Sequence, residues 1–290
     1  MTTAMGAREA SLRRILVALD GSPPSLEALA VAVRLAAVLE AELHGLFIED
    51  TDVLSFAELP FAALTGVWSD PSRQLRDGDL QRGLRLQAQR AREAMLQAAG
   101  GAGLRWSFAV LRGNVPRVLL EAAAEADLLS LGLLGVSVSH RGGGGSLART
   151  AAHAAPGPVL LARHGLAPGA PVVILLGAWP RAVALLQRAA LLAQTQQRQL
   201  VVVLPAPPPE REGVVAQALE VVAPWRVAVR FVELDSGDPV VVWAELLRRA
   251  RGGLLVLDLV GMPLEPAQLD QLVDRGGCSL LLLRGDRRAR

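Results

Sequence analysis

At 290 residues, with 51% hydrophobic and 20% charged residues, the chain is long enough for two ordinary domains and too apolar to be disordered. It contains no lysine and no tyrosine, which excludes a P-loop NTPase lysine, a Schiff-base nucleophile and a pyridoxal-phosphate site. A formal net charge of +2 gives no reason to expect nucleic acid as a partner, and the single cysteine, Cys278, rules out a disulfide framework and a CxxC metal site.

Residues 1–10 carry charges but no apolar core like that of a secretory signal. Apolar runs such as Leu280–Leu283 stop far short of the roughly 20 residues a spanning helix needs. The expected compartment is therefore the cytoplasm, with no stable membrane insertion.

Short apolar runs alternate with stretches of helical period, the signature of βαβ units around a parallel sheet buried on both faces. In the first half the pattern predicts strands near 14–19, 43–48, 104–111, 128–132 and 158–163. Helices are expected between them near 23–40, 82–99, 114–126 and 146–155. In the first helix Leu26, Leu29, Ala30, Val33, Ala37 and Val38 recur at three- and four-residue steps and predict the stripe that faces the sheet. Residues 49–81 fit neither period, and three readings stand: a lid, an interaction loop, or a surface connection.

Behind the fourth predicted strand, Asp127–Leu131, stands Gly132-Leu-Leu-Gly135, then nine residues, then Gly145-Ser146. A strand running into a glycine loop that opens a helix offers backbone N–H groups and a helix N-terminus to an anion, with no side chain blocking its approach. Composition alone also permits a flexible Gly/Ser connector over Gly142–Ser146. Asp20 ends the first strand, where a carboxylate can accept from ribose hydroxyls or an adenine amine. It could equally cap the next helix, although Ser22 is the better placed cap. For Leu19 and Phe47, core packing is an equally good account.

This is not a dinucleotide-binding turn: Asp20-Gly-Ser-Pro-Pro24 lacks G-x-G-x-x-G and is stiffened by two prolines. Nor is there G-x-S-x-G or a histidine pair at metal-ligand spacing among His44, His140, His153 and His164. Cys278, between Gly277 and Ser279, reads as a small strand-edge residue rather than a nucleophile. A dedicated enzyme is not expected.

The chain also repeats itself. A shift of 157 residues places Val172–Leu176 on Ile15–Leu19 and Leu200–Leu204 on Leu43–Phe47. Further on, Gly237-Asp238 answers Gly113-Asn114, Gly253–Leu257 answers Asp127–Leu131, and Ser279–Arg284 answers Pro158–Arg163. The joint is the Gly/Pro stretch His164–Pro171. The expected division is 1–165 and 171–290. In the second copy Gly177 replaces Asp20 and Asp258 replaces Gly132, while only Gly261 matches Gly135, so the phosphate loop is lost there. Asp258 itself reads as a turn or capping aspartate.

The spacing G-x2-G-x9-G-S resembles the phosphate-loop signature of the ATP-binding branch of the universal stress protein family. Ile15–Ser22 resembles that family's first strand and terminal aspartate, Leu43–Ile48 its second strand, Gly113–Arg117 its turn into the third helix, and Pro158–Arg163 its last strand. The resemblance implies two tandem doubly wound α/β domains, each on a five-stranded parallel sheet of the Rossmann-like, adenine nucleotide alpha hydrolase-like kind. It also implies pairing of the two last strands, Pro158–Arg163 against Ser279–Arg284, as an intramolecular pseudo-dimer, with homodimerisation a further option. Nucleotide contact is implied for Leu19, Asp20, Phe47, Leu131, Gly132, Gly135, Arg141, Gly145, Ser146 and Leu147.

The implied ligand is ATP or another adenine nucleotide, with Mg²⁺ a candidate companion. His140 and Arg141 can add positive charge to the loop. Ala148 stands where many family members carry threonine, so one hydroxyl contact to a terminal phosphate is missing. The function expected from all this is a nucleotide-dependent stress sensor or switch. The alternatives are a nucleotide-free interaction or chaperone-like scaffold and a very slow ATPase.

Overall fold

A computed structural model describes residues 13–51, 77–133, 146–163, 169–177, 179–205, 211–234, 239–261, 264–275 and 277–284. The first half holds β1 (Arg14–Ala18), α1 (Pro23–Leu39), β2 (Glu42–Asp50), α2 (Asp77–Met95, prolonged by a π turn, Leu96–Gly100), β3 (Trp106–Gly113), α3 (Val115–Ala123), β4 (Leu128–Gly132), α4 (Ser146–Ala154) and β5 (Val159–Ala162). The second holds β6 (Val172–Leu175), α5 (Arg181–Thr195), β7 (Leu200–Pro205), α6 (Arg211–Val222), β8 (Val229–Leu234), α7 (Pro239–Ala250), β9 (Leu254–Asp258), α8 (Pro266–Arg275) and β10 (Ser279–Leu283). The expected elements of the first half are present. The second predicted helix starts earlier than residue 82, at Asp77, and residues 52–76 of the unassigned segment lie outside the described residues.

The ten strands of the described residues form one sheet, in the order β3-β2-β1-β4-β5-β10-β9-β6-β7-β8. Each half is a parallel five-stranded unit, and the order of one is the mirror of the other. They meet where β5 runs antiparallel to β10, with Leu161 opposite Leu280 and Val159 opposite Leu282. Strands buried on both faces need apolar residues at every position, and β5 and β10 are buried throughout. One face carries α1, α2, α5 and α6 over a core that runs continuously from Ile15 and Leu43 to Ile174 and Leu200. The other carries α3, α4, α7 and α8 over a second core reaching from Leu131 to Leu282. Each core therefore crosses the seam between the halves.

The predicted stripe of α1 is corrected. Of its six residues only Leu29 is buried; Leu26 and Val38 are 39% and 49% exposed. The face that packs is Ser25, Ala28, Leu29, Val31, Ala32, Leu35 and Ala36. Small residues let the helix axis come close to the sheet, and closeness of approach, not side-chain bulk, selects the face.

Candidate functional site

In a doubly wound sheet the crevice lies outside the carboxyl ends of the strands where the order reverses. Here that point is β1, flanked by β2 and β4. Asp20 lies just past the end of β1 and Gly132 ends β4, as expected from the sequence, whereas Phe47 stands level with the end of β1 inside β2, which runs on to Asp50.

The turn from β1 into α1 is built by hydrogen bonds among its own polar residues. The Asp20 carboxylate accepts from Ser22 N–H at 2.9 Å. The Ser22 hydroxyl accepts from Ser25 N–H at 3.3 Å and caps α1, while the Ser25 hydroxyl donates to Ser22 O at 2.9 Å. Pro23 and Pro24 open the helix, where a missing N–H costs nothing. Ser22, not Asp20, is thus the helix cap. That leaves a half-exposed Asp20 carboxylate fixed in direction at the end of β1.

Gly132 lies against this turn. A Cβ built on it would stand 2.4 Å from Pro24 C and 2.6 Å from Ser25 N, a contact no side chain can make. The buried Ser130 hydroxyl donates to Ala28 O at 3.2 Å two residues earlier, and together the two contacts hold the end of β4 under the first turn of α1. The sequence offers one reason for glycine at 132, unobstructed approach of a phosphate. The structure supplies another that operates without any ligand. Substitution by aspartate, the residue of the second copy, would strike backbone, so it cannot serve as a test of phosphate contact.

Leu19 and Phe47 are each 3% exposed and belong to the α1-side core. Leu131, equally buried, and Leu147 pack into the opposite core. The apolar side chains around these strand ends therefore pack into the cores of both faces. Ser146 opens α4, and Ala148 behind it is buried at 3% exposure. Gly135, His140, Arg141 and Gly145 lie outside the described residues. Among the described residues no group of three or more His, Cys, Asp or Glu could hold a metal ion, and no helix is long and apolar enough to cross a membrane.

The second half keeps the frame and changes the chemistry. Asp258 ends β9 as Gly132 ends β4, and its carboxylate accepts from Val260 N–H at 3.0 Å, the turn role read from the sequence. A Cβ on Gly261 would stand 2.8 Å from Asp258 Oδ2. Cys278 is fully buried, and burial pushes its thiol up to about 12, against the opposing pull of Arg163. It is no nucleophile.

The universal stress protein family model matches residues 11–163, more than half of the chain. The chain belongs to the universal stress protein family. A universal stress protein from Archaeoglobus fulgidus superposes with a TM-score of 0.61 at 14% identity, over 95% of this chain and 99% of that one. A functionally unknown protein from Pseudomonas aeruginosa PAO1 gives a TM-score of 0.51 at 17% identity, over 95% and 93% of the two chains. The cytoplasmic domain of a prokaryotic cation chloride cotransporter gives 0.51 at 14%, over 94% and 95%. At these identities the likeness is one of fold, which a universal stress protein shares with a transporter domain. No curated protein matches the chain.

Proposed function

We propose that this universal stress protein binds one adenine nucleotide per chain, in the first half, and that the bound nucleotide acts as a switch rather than as a substrate in steady turnover. The observation that carries the reading is the convergence of the oriented Asp20 carboxylate and the side-chain-free end of β4 at the switch point of the sheet. Ser146 opens α4, and Gly145 precedes it in the sequence. The residues suit the group. Asp20 accepts from the ribose or the base, and the loop 132–146 offers amides to the phosphates. Arg141 adds positive charge. Mg²⁺, if recruited, would be held by the phosphates and water, since no carboxylate adjoins the loop in sequence.

The 1–165 part carries the ligand in this reading, and the 171–290 part is its structural partner. The signal leaves the site through α4. On that helix Arg149 donates to Asp274 of α8 at 3.1 Å and His153 pairs with Asp270 at 2.8 Å, so a change at the start of α4 is felt across the seam.

Calorimetry of the full chain with ATP tests the reading. A stoichiometry near one is expected, with affinity reduced in Asp20→Ala and with circular dichroism unchanged. No heat, or no nucleotide released from the denatured purified protein, would favour the nucleotide-free scaffold. A stoichiometry near two would defeat the assignment to the first half. Phosphate release faster than about one turnover per second, the low end of ordinary enzyme rates, and lost in Ser146→Ala, would make it an ATPase.

A further inference from the structure

The second half is not closed where its phosphate loop has been lost. A cavity of about 270 Å³ lies at the carboxyl ends of β6 and β9 beneath the start of α5. The connection leaving β6 goes to one face of the sheet and that leaving β9 to the other, so this cavity occupies a topological switch point, the place where α/β sheets take ligands. Its volume is near the lower end of the roughly 300–1,000 Å³ of small-molecule sites.

Its lining differs in kind from the first site. Leu175, Leu185 and Val256 give apolar walls. The lining residues that carry polar side-chain groups are Asp258, Arg181 and Trp179. The Trp179 N–H is buried and has no hydrogen-bond partner among the described residues, and a buried donor left unpaired is costly unless something else supplies an acceptor. Asp258 is held in place by Val260 N–H and by the space Gly261 leaves for it. One anion and one cation leave the cavity neutral on balance, and a carboxylate at the strand end repels phosphate where the first half would receive it.

We propose that this cavity is a second small-molecule site, for an uncharged nitrogen heterocycle of the size of a free nucleobase or nucleoside. Asp258 accepts from an N–H or hydroxyl of the ligand, the Trp179 N–H donates to a ring nitrogen or carbonyl, and the apolar walls take the faces of the ring. The assignment is independent of nucleotide binding in the first half.

The indole N–H resonance of Trp179, assigned in the ¹H–¹⁵N spectrum of the full chain by its loss in Trp179→Phe, reports on this cavity directly. Adenine, adenosine, uracil and nicotinamide are titrated separately to millimolar concentration, and ATP is titrated in parallel. At least one neutral compound is expected to shift the Trp179 signal saturably, while ATP leaves it in place. Asp258→Asn keeps an acceptor for Val260 N–H and removes the charge, and it should weaken the effective compound about tenfold. Leu185→Phe, which fills the cavity with an apolar side chain, should abolish the shift while the rest of the spectrum stays folded. If none of the four compounds moves the signal, or if ATP moves it as far as adenosine does, the proposal is overturned. ATP calorimetry reads the first half separately, so the two assignments can fail one at a time.

Discussion

Arg163 and Arg284 perform the same task on opposite sides of the seam. Arg163, just past β5, donates to Val273 O at 3.2 Å in the last turn of α8, and its backbone N–H donates to the Ser279 hydroxyl at 3.0 Å. Arg284, just past β10, donates to Ala152 O and, at 3.1 Å, to His153 O in the last turn of α4. Each half thus caps the final helix of the other with a cation, where the carbonyls of a helix end lack partners and the dipole favours positive charge.

Truncating either arginine leaves those carbonyls uncapped. Arg284→Met is expected to lower stability by about 1–3 kcal/mol, the range for hydrogen bonds to charged groups. Arg163→Met should cost a similar amount, and the double variant should cost roughly the sum, because the two sites share no partner. Urea midpoints at constant m-value check this.

Gly132→Ala is expected to destabilise the protein by about 1–3 kcal/mol or more in the absence of any nucleotide, since its Cβ would overlap the backbone of Pro24 and Ser25. The control is Gly83→Ala in α2, where an added Cβ meets nothing within 4 Å. There the loss of backbone entropy in the unfolded chain should stabilise by about 0.5–1 kcal/mol. Thermal unfolding of both variants decides; equal effects would remove the packing account of Gly132.

Glu245 on α7 accepts from Arg248 at 2.8 Å and from Arg249 at 2.6 Å. Its carboxyl is held at about 2, against an ordinary 4.5, chiefly by the Arg248 hydrogen bond and further by Arg249, with burial opposing. Depression in the folded state means that the stabilisation is fully present above pH 4.5 and is lost as pH falls toward 2. Glu245→Gln should therefore unfold with a flatter pH dependence than the parent across that window, while the two slopes agree above it. Denaturant midpoints at pH 5, 4 and 3 give the comparison.

Cys278 makes the seam observable. The thiol is fully buried at the start of β10, and Arg163 reaches its carbonyl at 3.5 Å. A thiol reagent such as Ellman's should label the native protein only as fast as β10 opens, and in one step after denaturation. Immediate labelling in native buffer would show that the seam is open in solution.

The strands were legible in the sequence because a parallel strand buried on both faces is written as an unbroken apolar run, as in Leu254–Leu257 and Leu280–Leu283. The end of β4 was legible as a place without side chains, but its cause was not. Whether Gly132 clears the way for a ligand or for α1 depends on where Pro24 lies, and nothing in the spacing of the two encodes that distance. The stripe of α1 misled because leucine and valine outweigh alanine in any pattern of bulk, while Ala28, Ala32 and Ala36 set the closeness of the helix to the sheet. The cavity at Asp258 was illegible for a related reason. Sequence registers the loss of the glycine loop, whereas the space between Trp179, Leu185 and Val256 exists only once α5 is laid over β6 and β9.

Gly132 and the first turn of α1, at Pro24 and Ser25, fit one another so closely that neither is free to vary alone. The second half ends β9 in Asp258 and reaches α5 through residues 176–180. A strand terminus and the loop facing it therefore form an exchangeable unit, and a graft that moves one without the other inherits a collision or a void. Recoding one end of this sheet for a new ligand means transplanting both pieces together.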